Sequence, residues 1–477
     1  MEEHFELLKE KIENKRCAVL GLGVSNLPLV KLLISLGGYT DLTVYDKKSV
    51  EELGDRANEL SIQGVRFVSG DNCFDSIDAD VIFRSPGIRP DADGILGAIG
   101  KGAVLTSEIE MLLSMTPAAT FAITGSDGKT TTTTLVGKFL EAAGKRVFVG
   151  GNIGTPLLDR CADMSESDAC VLELSSFQLM RSERSAMNAA ITNVSPNHMD
   201  WHISEEEYFR AKKNIVGDNT RRLVVNADCA PTAEFGREIA ERGDKDVIFF
   251  SSSKGDSLRA EIEKIPRARA IYRKDGSICL FDGESERIIL EERVIRLPGV
   301  HNIENYMTAI GLCYGYVSIG DILSVAREFT GVEHRLEPVR TLDEVDYING
   351  SIDSSPTRTI AALSALAGRD IVVICGGYDK NLDYSPLAPK LCECARVVVL
   401  TGNTADKIER ALVEYDGYSG VPEICRAESF EDAVISARSK AVAGGCVLLS
   451  PASASFDRFD NFVQRGRYFK KLVWELE

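Results

Sequence analysis

Thr120-Phe-Ala-Ile-Thr-Gly-Ser-Asp-Gly-Lys-Thr-Thr131 carries a short apolar run into a glycine-rich turn that ends on Gly-Lys-Thr. The run predicts a buried strand, and the spacing from Thr130 to Ala143 predicts a helix. At such a junction glycines let backbone N–H groups face phosphate oxygens, and the helix N-terminus adds positive potential. Lys129 is placed to reach terminal phosphates, and the Thr130 hydroxyl to ligate Mg²⁺. Ile123 stands where the first glycine of the usual phosphate-loop spacing belongs. A plain glycine turn before a helix is the bland alternative, and Gly-Lys-Thr at this junction favours phosphate.

Outward from this turn, β-branched runs alternate with helical patterns from end to end, which predicts α/β layers with mostly parallel sheets. The rhythm restarts twice. Upstream, Cys17-Ala-Val-Leu20 leads through Gly21-Leu-Gly23 into an apolar helix and then Leu42-Thr-Val-Tyr45, ending on Asp46. A further strand, Asp80-Val-Ile-Phe83, precedes the close of this unit near Thr106-Ser-Glu108. Downstream, Ile271 to Phe281 holds a central Asp-Gly between β-rich runs and reads as a hairpin. After Val332 strands are expected at 345–348, 371–374, 397–400 and 447–449. The divisions are 1–107, 108–332 and 333–477.

The 477 residues, 44% hydrophobic and 27% charged, suit about three domains of roughly 150 residues. The charged, amphipathic N-terminus lacks the apolar core of a signal peptide, and no stretch is long enough to span a bilayer. The twelve cysteines are scattered without paired ligand spacing and read as buried thiols in a reducing cytosol. A net charge of −17, with no basic cluster interleaved with aromatics, argues against nucleic acid as a partner. A cytoplasmic monomer acting on small molecules, away from membranes, is expected.

Other segments carry chemistry. Val171-Leu-Glu-Leu-Ser-Ser-Phe-Gln178 puts Glu173 at the end of an apolar strand, where an ionised carboxylate is costly unless paired or metal-bound. A carboxylate accepting backbone hydrogen bonds is nearly as good a reading. Ile191 to Asp200 is a strand feeding a polar loop with His198 and Asp200 at its tip. His198 and His202 have the spacing of a zinc pair, but no third ligand follows, so a hard cation fits better. Lys212 lies on the next helix, and nothing in periodicity singles it out.

The order Thr124-Gly-Ser-Asp-Gly-Lys-Thr-Thr131, Gly150-Gly-Asn-Ile-Gly154, Leu172 to Leu179, Asn193 to Asp200 and Tyr208-Phe-Arg-Ala-Lys212 resembles the Mur ligase superfamily over nearly the whole chain. Leu172 to Leu179 and Leu448 to Phe469 resemble its D-glutamate-adding branch most. The resemblance implies three α/β domains. These are an N-terminal Rossmann-like domain for a UDP-sugar, a central P-loop-type ATPase with a mostly parallel sheet, and a C-terminal Rossmann-like domain for the amino acid. The implied reaction is ATP-dependent ligation of D-glutamate to UDP-N-acetylmuramoyl-L-alanine through an acyl phosphate, in peptidoglycan precursor synthesis.

By the same resemblance, Gly125, Ser126, Asp127, Gly128, Lys129, Thr130 and Thr131 would cradle ATP, with Asn302, Asn305 and Arg335 on the nucleotide. Thr130, Glu173, His198 and Lys212 would hold Mg²⁺, in two ions, with Lys212 carbamylated. Lys129, His198 and Lys212 would serve catalysis. Ser25, Asn26, Asp46 and Asn152 would meet the sugar nucleotide, and Lys380, Ser455 and Phe462 the D-glutamate.

Asn26 stands where the third glycine of a dinucleotide fingerprint belongs, so the first unit is only a partial match to one. Gly350 stands where many relatives carry a carboxylate expected to touch ATP, with Asp353 nearby to compensate, and Asp127 replaces a common asparagine. A sister ligase adding another amino acid is the rival within the class. A catalytically weak nucleotide-binding homologue, favoured by Gly350 and Asp127, is a rival outside it. A nicotinamide-dependent oxidoreductase leaves the phosphate loop, Glu173 and Lys212 unexplained.

Overall fold

The computed structural model describes residues 5–477 apart from 24, 200, 298 and 381. Asp200, expected at a loop tip, lies outside the described residues. The chain divides into two compact units, Met1–Phe329 and Thr330–Glu477.

The first unit holds two sheets. One has five parallel strands in the spatial order Arg66–Ser69, Asp41–Asp46, Arg16–Leu20, Val81–Arg84 and Val104–Thr106. The other has nine strands. From within the sheet to one edge its parallel strands run Arg222–Asn226, Asn188–Ile191, Ala119–Thr124, Ala169–Glu173 and Val147–Gly151. Phe121, Ala122, Ile123, Cys170, Val171, Leu172, Leu223, Val224 and Val225 are all fully buried. This is why these strands read as unbroken apolar runs, since a parallel sheet covered on both faces has no solvent side to alternate with.

The expected hairpin is present. Ala268–Lys274 pairs antiparallel with Ser277–Phe281, and Asp275 and Gly276 form the turn with φ of 48° and 70°. Both positive values are those of a type I′ turn, which Asp-Gly favours. A further antiparallel strand, Glu286–Glu291, pairs beyond it at the sheet's edge, with Arg287, Ile288 and Glu291 exposed and Ile289 and Leu290 buried.

The second unit has a six-stranded sheet ordered Glu337–Leu342, Val345–Asn349, Cys446–Leu449, Ile371–Cys375, Ala395–Leu400 and Glu423–Arg426. Only the first pair is antiparallel. All twelve cysteines are free thiols and eight are buried, as expected of core residues. Among the described residues no helix is long and apolar enough to cross a membrane.

In the nine-stranded sheet, Asn188–Ile191, Ala119–Thr124 and Ala169–Glu173 are neighbours and parallel. Their carboxyl ends therefore deliver three loops to one place. That is where ligands bind in open α/β sheets.

Candidate active site

The turn after Ala119–Thr124 leads into the helix Lys129–Ala142, with Gly128 as its N-cap at φ 78°. A Cβ on Gly125 would lie 1.9 Å from Thr192 Oγ1, and one on Gly128 would lie 2.3 Å from Asn305 Oδ1. Both positions require glycine, by conformation and by space. The turn is clamped from the neighbouring strand's loop. Ser126 N donates to the Asn193 carbonyl at 3.0 Å, Asp127 N to Asn193 Oδ1 at 2.9 Å, and Thr192 Oγ1 to the Asp127 carbonyl at 2.6 Å. Thr132 Oγ1 donates to Asn305 Oδ1 at 3.2 Å, and Asn305 Nδ2 to Asn302 Oδ1 at 3.3 Å. Asn305 thus reaches the turn from the helix Val300–Leu312, with Asn302 of the same helix behind it.

Glu173 is buried at the end of its strand, and its hydrogen bonds come from neutral groups. Thr130 Oγ1 donates to Oε2 at 2.7 Å and Asn152 Nδ2 to Oε1 at 2.8 Å. A buried carboxylate joined to a hydroxyl at a helix N-terminus is an oxygen donor set, which fits a hard cation such as Mg²⁺. Asn152, which the resemblance places on the sugar nucleotide, faces Glu173. His198 lies on the loop after Asn188–Ile191, exposed, with φ of 57° and its ring 5.0 Å from that of Phe177. His202 is buried between Glu207 and Ser176 and forms no zinc pair with His198.

Lys129 Nζ donates to the carbonyls of Gly125 and Ser126, each at 2.9 Å. Lys212 Nζ donates to the same Gly125 carbonyl at 2.8 Å and lies 4.4 Å from the centre of the Tyr208 ring. Lys212 is 1% exposed. Burial pushes its amine down to about 7, the Lys129 charge pushes the same way, and Asp127 and Glu173 oppose them. Tyr208 in turn brings its hydroxyl to Ser126 Oγ at 3.0 Å. The helix Glu205–Lys213 is started by the Ser204 side chain accepting from Glu207 N, with three glutamates in its first turn and basic residues in its last.

In the five-stranded sheet, Asp46 closes the glycine turn, accepting from Leu22 N at 2.7 Å and Lys48 N at 3.0 Å. Asn26 is 1% exposed and donates to the Leu20 and Gly21 carbonyls. Its Oδ1 has no hydrogen-bond partner among the described residues. Ser25 and Asn26 line a small cavity with Arg84, Ser107, Glu108 and Gln178. Glu108 accepts from Leu157 N and Leu158 N, and burial pushes its carboxyl up to about 7.

In the second unit, Lys380 Nζ lies 5.3 Å from the centre of the Phe456 ring. Tyr378 N donates to the Ala454 carbonyl at 2.9 Å, so the loops bearing Lys380 and Ser455 meet. Buried Arg465 holds the second loop from beneath, donating to the carbonyls of Ser351, Ser453 and Ala454. Phe462 packs against His334, ring centres 6.0 Å apart, and Arg335 is exposed. A Cβ on Gly350 would lie 2.5 Å from Asp353 Oδ2 and 2.6 Å from the Leu449 carbonyl. The Asp353 carboxyl, bonded by Ser450 Oγ at 2.8 Å and pushed up to about 7 by burial, occupies the space a side chain at 350 would need. Glu333, His334 and Glu337 cluster closely. Lys470 already donates to both carboxylates at 2.8 Å, and His334 Nδ1 takes the Asn349 amide at 2.9 Å.

Thr192, Asn193, Tyr208 and Ser195, whose N–H and carbonyl both bond Ser126 Oγ, hold the phosphate loop without having been expected at the site. Only Tyr208 carried a usable signal, lying one helical turn before Lys212 on the same face.

A model of the Mur ligase middle domain matches residues 123–313, and one of the Mur ligase glutamate ligase domain matches residues 334–453. The chain is 43% identical over the whole of both chains to the UDP-N-acetylmuramoylalanine–D-glutamate ligase of Ruminiclostridium cellulolyticum. It is 42% identical, over 98% of each chain, to the protein of that name in Acetivibrio thermocellus. The crystal structure of a UDP-N-acetylmuramate–alanine ligase from Thermotoga maritima shares the fold, with a TM-score of 0.52 and 19% identity, over 97% of this chain and 99% of that one.

Proposed function

This chain belongs to the Mur ligase family, and from that premise we propose that it joins D-glutamate to UDP-N-acetylmuramoyl-L-alanine at the expense of ATP, in cytoplasmic peptidoglycan precursor synthesis. The observation that carries the reading is the junction at Gly125. There a glycine cradle, Lys129, Lys212 and the Thr130–Glu173 pair converge. A dehydrogenase has no use for this set. Identity of 43% and 42% over full length to proteins named for D-glutamate favours that amino acid over those of sister ligases.

In the proposed reaction a substrate carboxylate oxygen attacks the γ-phosphorus of ATP, giving an acyl phosphate and ADP. The D-glutamate amine then attacks the acyl carbon. The C–N bond forms, the C–O bond to phosphate breaks, inorganic phosphate leaves, and the amine gives up its proton. The N–H groups of 125–131 and Lys129 bind and orient the phosphates. Thr130 and Glu173 would hold Mg²⁺, which supplies charge stabilisation to the phosphates when bound. Asn302 and Asn305 brace the cradle beside the nucleotide, and Arg335 is assigned to the nucleotide.

An amine that titrates near 7 is largely neutral at slightly alkaline pH, and the neutral amine is the form that adds to CO₂, releasing a proton. Carbamylation of Lys212 would place an anion beside the Lys129 cation and give a second ion an oxygen ligand, with His198 completing it. Ser25, Asn26, Asp46 and Asn152 are assigned to the sugar nucleotide, and Lys380, Ser455 and Phe462 to the D-glutamate. The domain divisions proposed are 1–107, 108–332 and 333–477, in a monomer. Phosphate release from ATP tests the reading. Release that requires both UDP-N-acetylmuramoyl-L-alanine and D-glutamate supports it, and release with another amino acid alone contradicts it.

A further inference from the structure

Arg89 stands five residues after the strand Val81–Arg84 of the five-stranded sheet and belongs to none of the motifs above. Its guanidinium is fully engaged. Nε and Nη2 donate to Asp91 at 2.8 and 2.7 Å, Nη1 and Nη2 to the two oxygens of Glu207 at 3.2 and 3.0 Å, and Nη1 also to the Trp201 carbonyl at 2.6 Å. Glu207 is 5% exposed and sits in the first turn of the helix that carries Lys212. A forked pair of this kind fixes orientation as well as distance, which a lysine cannot do.

The bonding continues inward. Glu207 Oε1 lies 3.1 Å from His202 Nδ1, and His202 Nε2 lies 2.9 Å from Ser176 Oγ. Burial lowers the His202 pKa, and the neutral ring is held in one tautomer, with Nδ1–H donating to Glu207 and Nε2 accepting from the Ser176 hydroxyl. Ser176 opens the short helix Ser176–Leu179, three residues beyond Glu173. Serine, histidine and glutamate here follow the order of a nucleophilic triad. Ser176 is only 2% exposed and Glu207 is tied to Arg89, so the hydroxyl is closed to any substrate and the chain acts as a strut. Arg84 adds a second tie between the same parts, donating to the Phe177 carbonyl at 3.0 Å and the Met180 carbonyl at 3.3 Å.

We propose that Arg89 is a positioning residue for the ligation reaction: through Glu207, His202 and Ser176 it fixes the segments bearing Lys212 and Glu173 relative to the five-stranded sheet. The inference rests on the proposed function, because it takes that sheet to present the sugar nucleotide and those two residues to serve the phosphate. An error of about 1 Å in such an alignment costs turnover far more than binding.

The test compares full-length wild type with Arg89→Met, Arg89→Lys, Glu207→Gln and the Arg89→Met/Glu207→Gln double variant, using whichever amino acid the wild type turns over. Failure of D-glutamate would count against the proposed function alone and leave Arg89 judged on the same comparison. The expected result in Arg89→Met is a fall in kcat of about tenfold or more, with the KM for the sugar nucleotide within about threefold and Mg·ADP bound at unchanged stoichiometry. Arg89→Lys is expected to recover part of the loss. The double variant is expected to be no worse than the worse single one, since both remove one link. Hydrogen exchange in residues 205–213 is expected to rise in Arg89→Met and Glu207→Gln, a readout that needs no turnover. Unchanged kcat, unchanged exchange, a loss that only tracks the unfolded fraction, or additive losses in the double variant would overturn the proposal.

Discussion

Lys129 and Lys212 donate to one and the same oxygen, the Gly125 carbonyl, at 2.9 and 2.8 Å. Two cations on one acceptor, one of them buried, is an arrangement that favours neutralising one of the pair. Anionic phosphate or carbamylation of Lys212 would each relieve it.

Lys212→Met is expected to abolish ligation, by at least about 100-fold, yet to raise stability. In the folded chain the amine titrates near 7, against an ordinary 10.5. A base with a depressed folded pKa opposes folding, with no penalty above about pH 10.5, a growing one as pH falls toward 7, and the full one below. In bicarbonate-free buffer the variant's Tm gain over wild type should therefore be larger at pH 7 than at pH 10. Thermal melts at the two values check it.

Glu173→Gln should leave the fold intact, because the amide oxygen can still accept from Asn152 while the amide NH₂ donates to the Thr130 hydroxyl, which turns to accept. It removes the charge that would hold Mg²⁺. Turnover at saturating ATP is expected to fall about 100-fold or more, with Mn²⁺ binding measured by electron paramagnetic resonance weakened in parallel.

Gly128→Ala combines a left-handed backbone, φ 78°, with a Cβ 2.3 Å from Asn305 Oδ1. The backbone alone costs about 1–2 kcal/mol. Displacing Asn305 also breaks its bond with Thr132. The KM for ATP is expected to rise about tenfold or more, as the loop loses the form that binds phosphate. Steady-state kinetics with varied ATP checks it.

Glu108→Gln concerns stability. The Glu108 carboxyl is pushed up from 4.5 to about 7, so it is a burden on folding that is absent below about pH 4.5, grows between the two values and is complete above 7. Glutamine can still accept from Leu157 and Leu158. The variant should melt higher than wild type at pH 8, and the difference should vanish near pH 4.5.

The parallel strands and the phosphate loop were legible because each is a local pattern. The run Thr120 to Ile123 is apolar because both faces of its strand are covered, and Gly125 and Gly128 are glycines because Thr192 and Asn305 leave no room for a Cβ. The edge strand Glu286–Glu291 was not legible, since half of it faces solvent and carries charge. The Lys212 environment was out of reach for a different reason. A buried lysine and a solvated one look alike in sequence, and its depressed pKa arises from Lys129 and burial, both set by contacts distant along the chain. Asn26 and Asn152 hold the Leu20 and Gly21 carbonyls and Glu173, bonds that no motif spacing encodes. The departure at Gly350 has a spatial counterpart, for Asp353 fills the place beside it.

The most direct test of the central claim is phosphate release from ATP by full-length protein with Mg²⁺, bicarbonate and UDP-N-acetylmuramoyl-L-alanine, supplied in turn with D-glutamate, L-glutamate, L-alanine or a diamino acid. The account expects release only with D-glutamate and the sugar nucleotide together, and its collapse in Lys129→Ala. Release with a different amino acid, or none with any of them from folded protein, would contradict it.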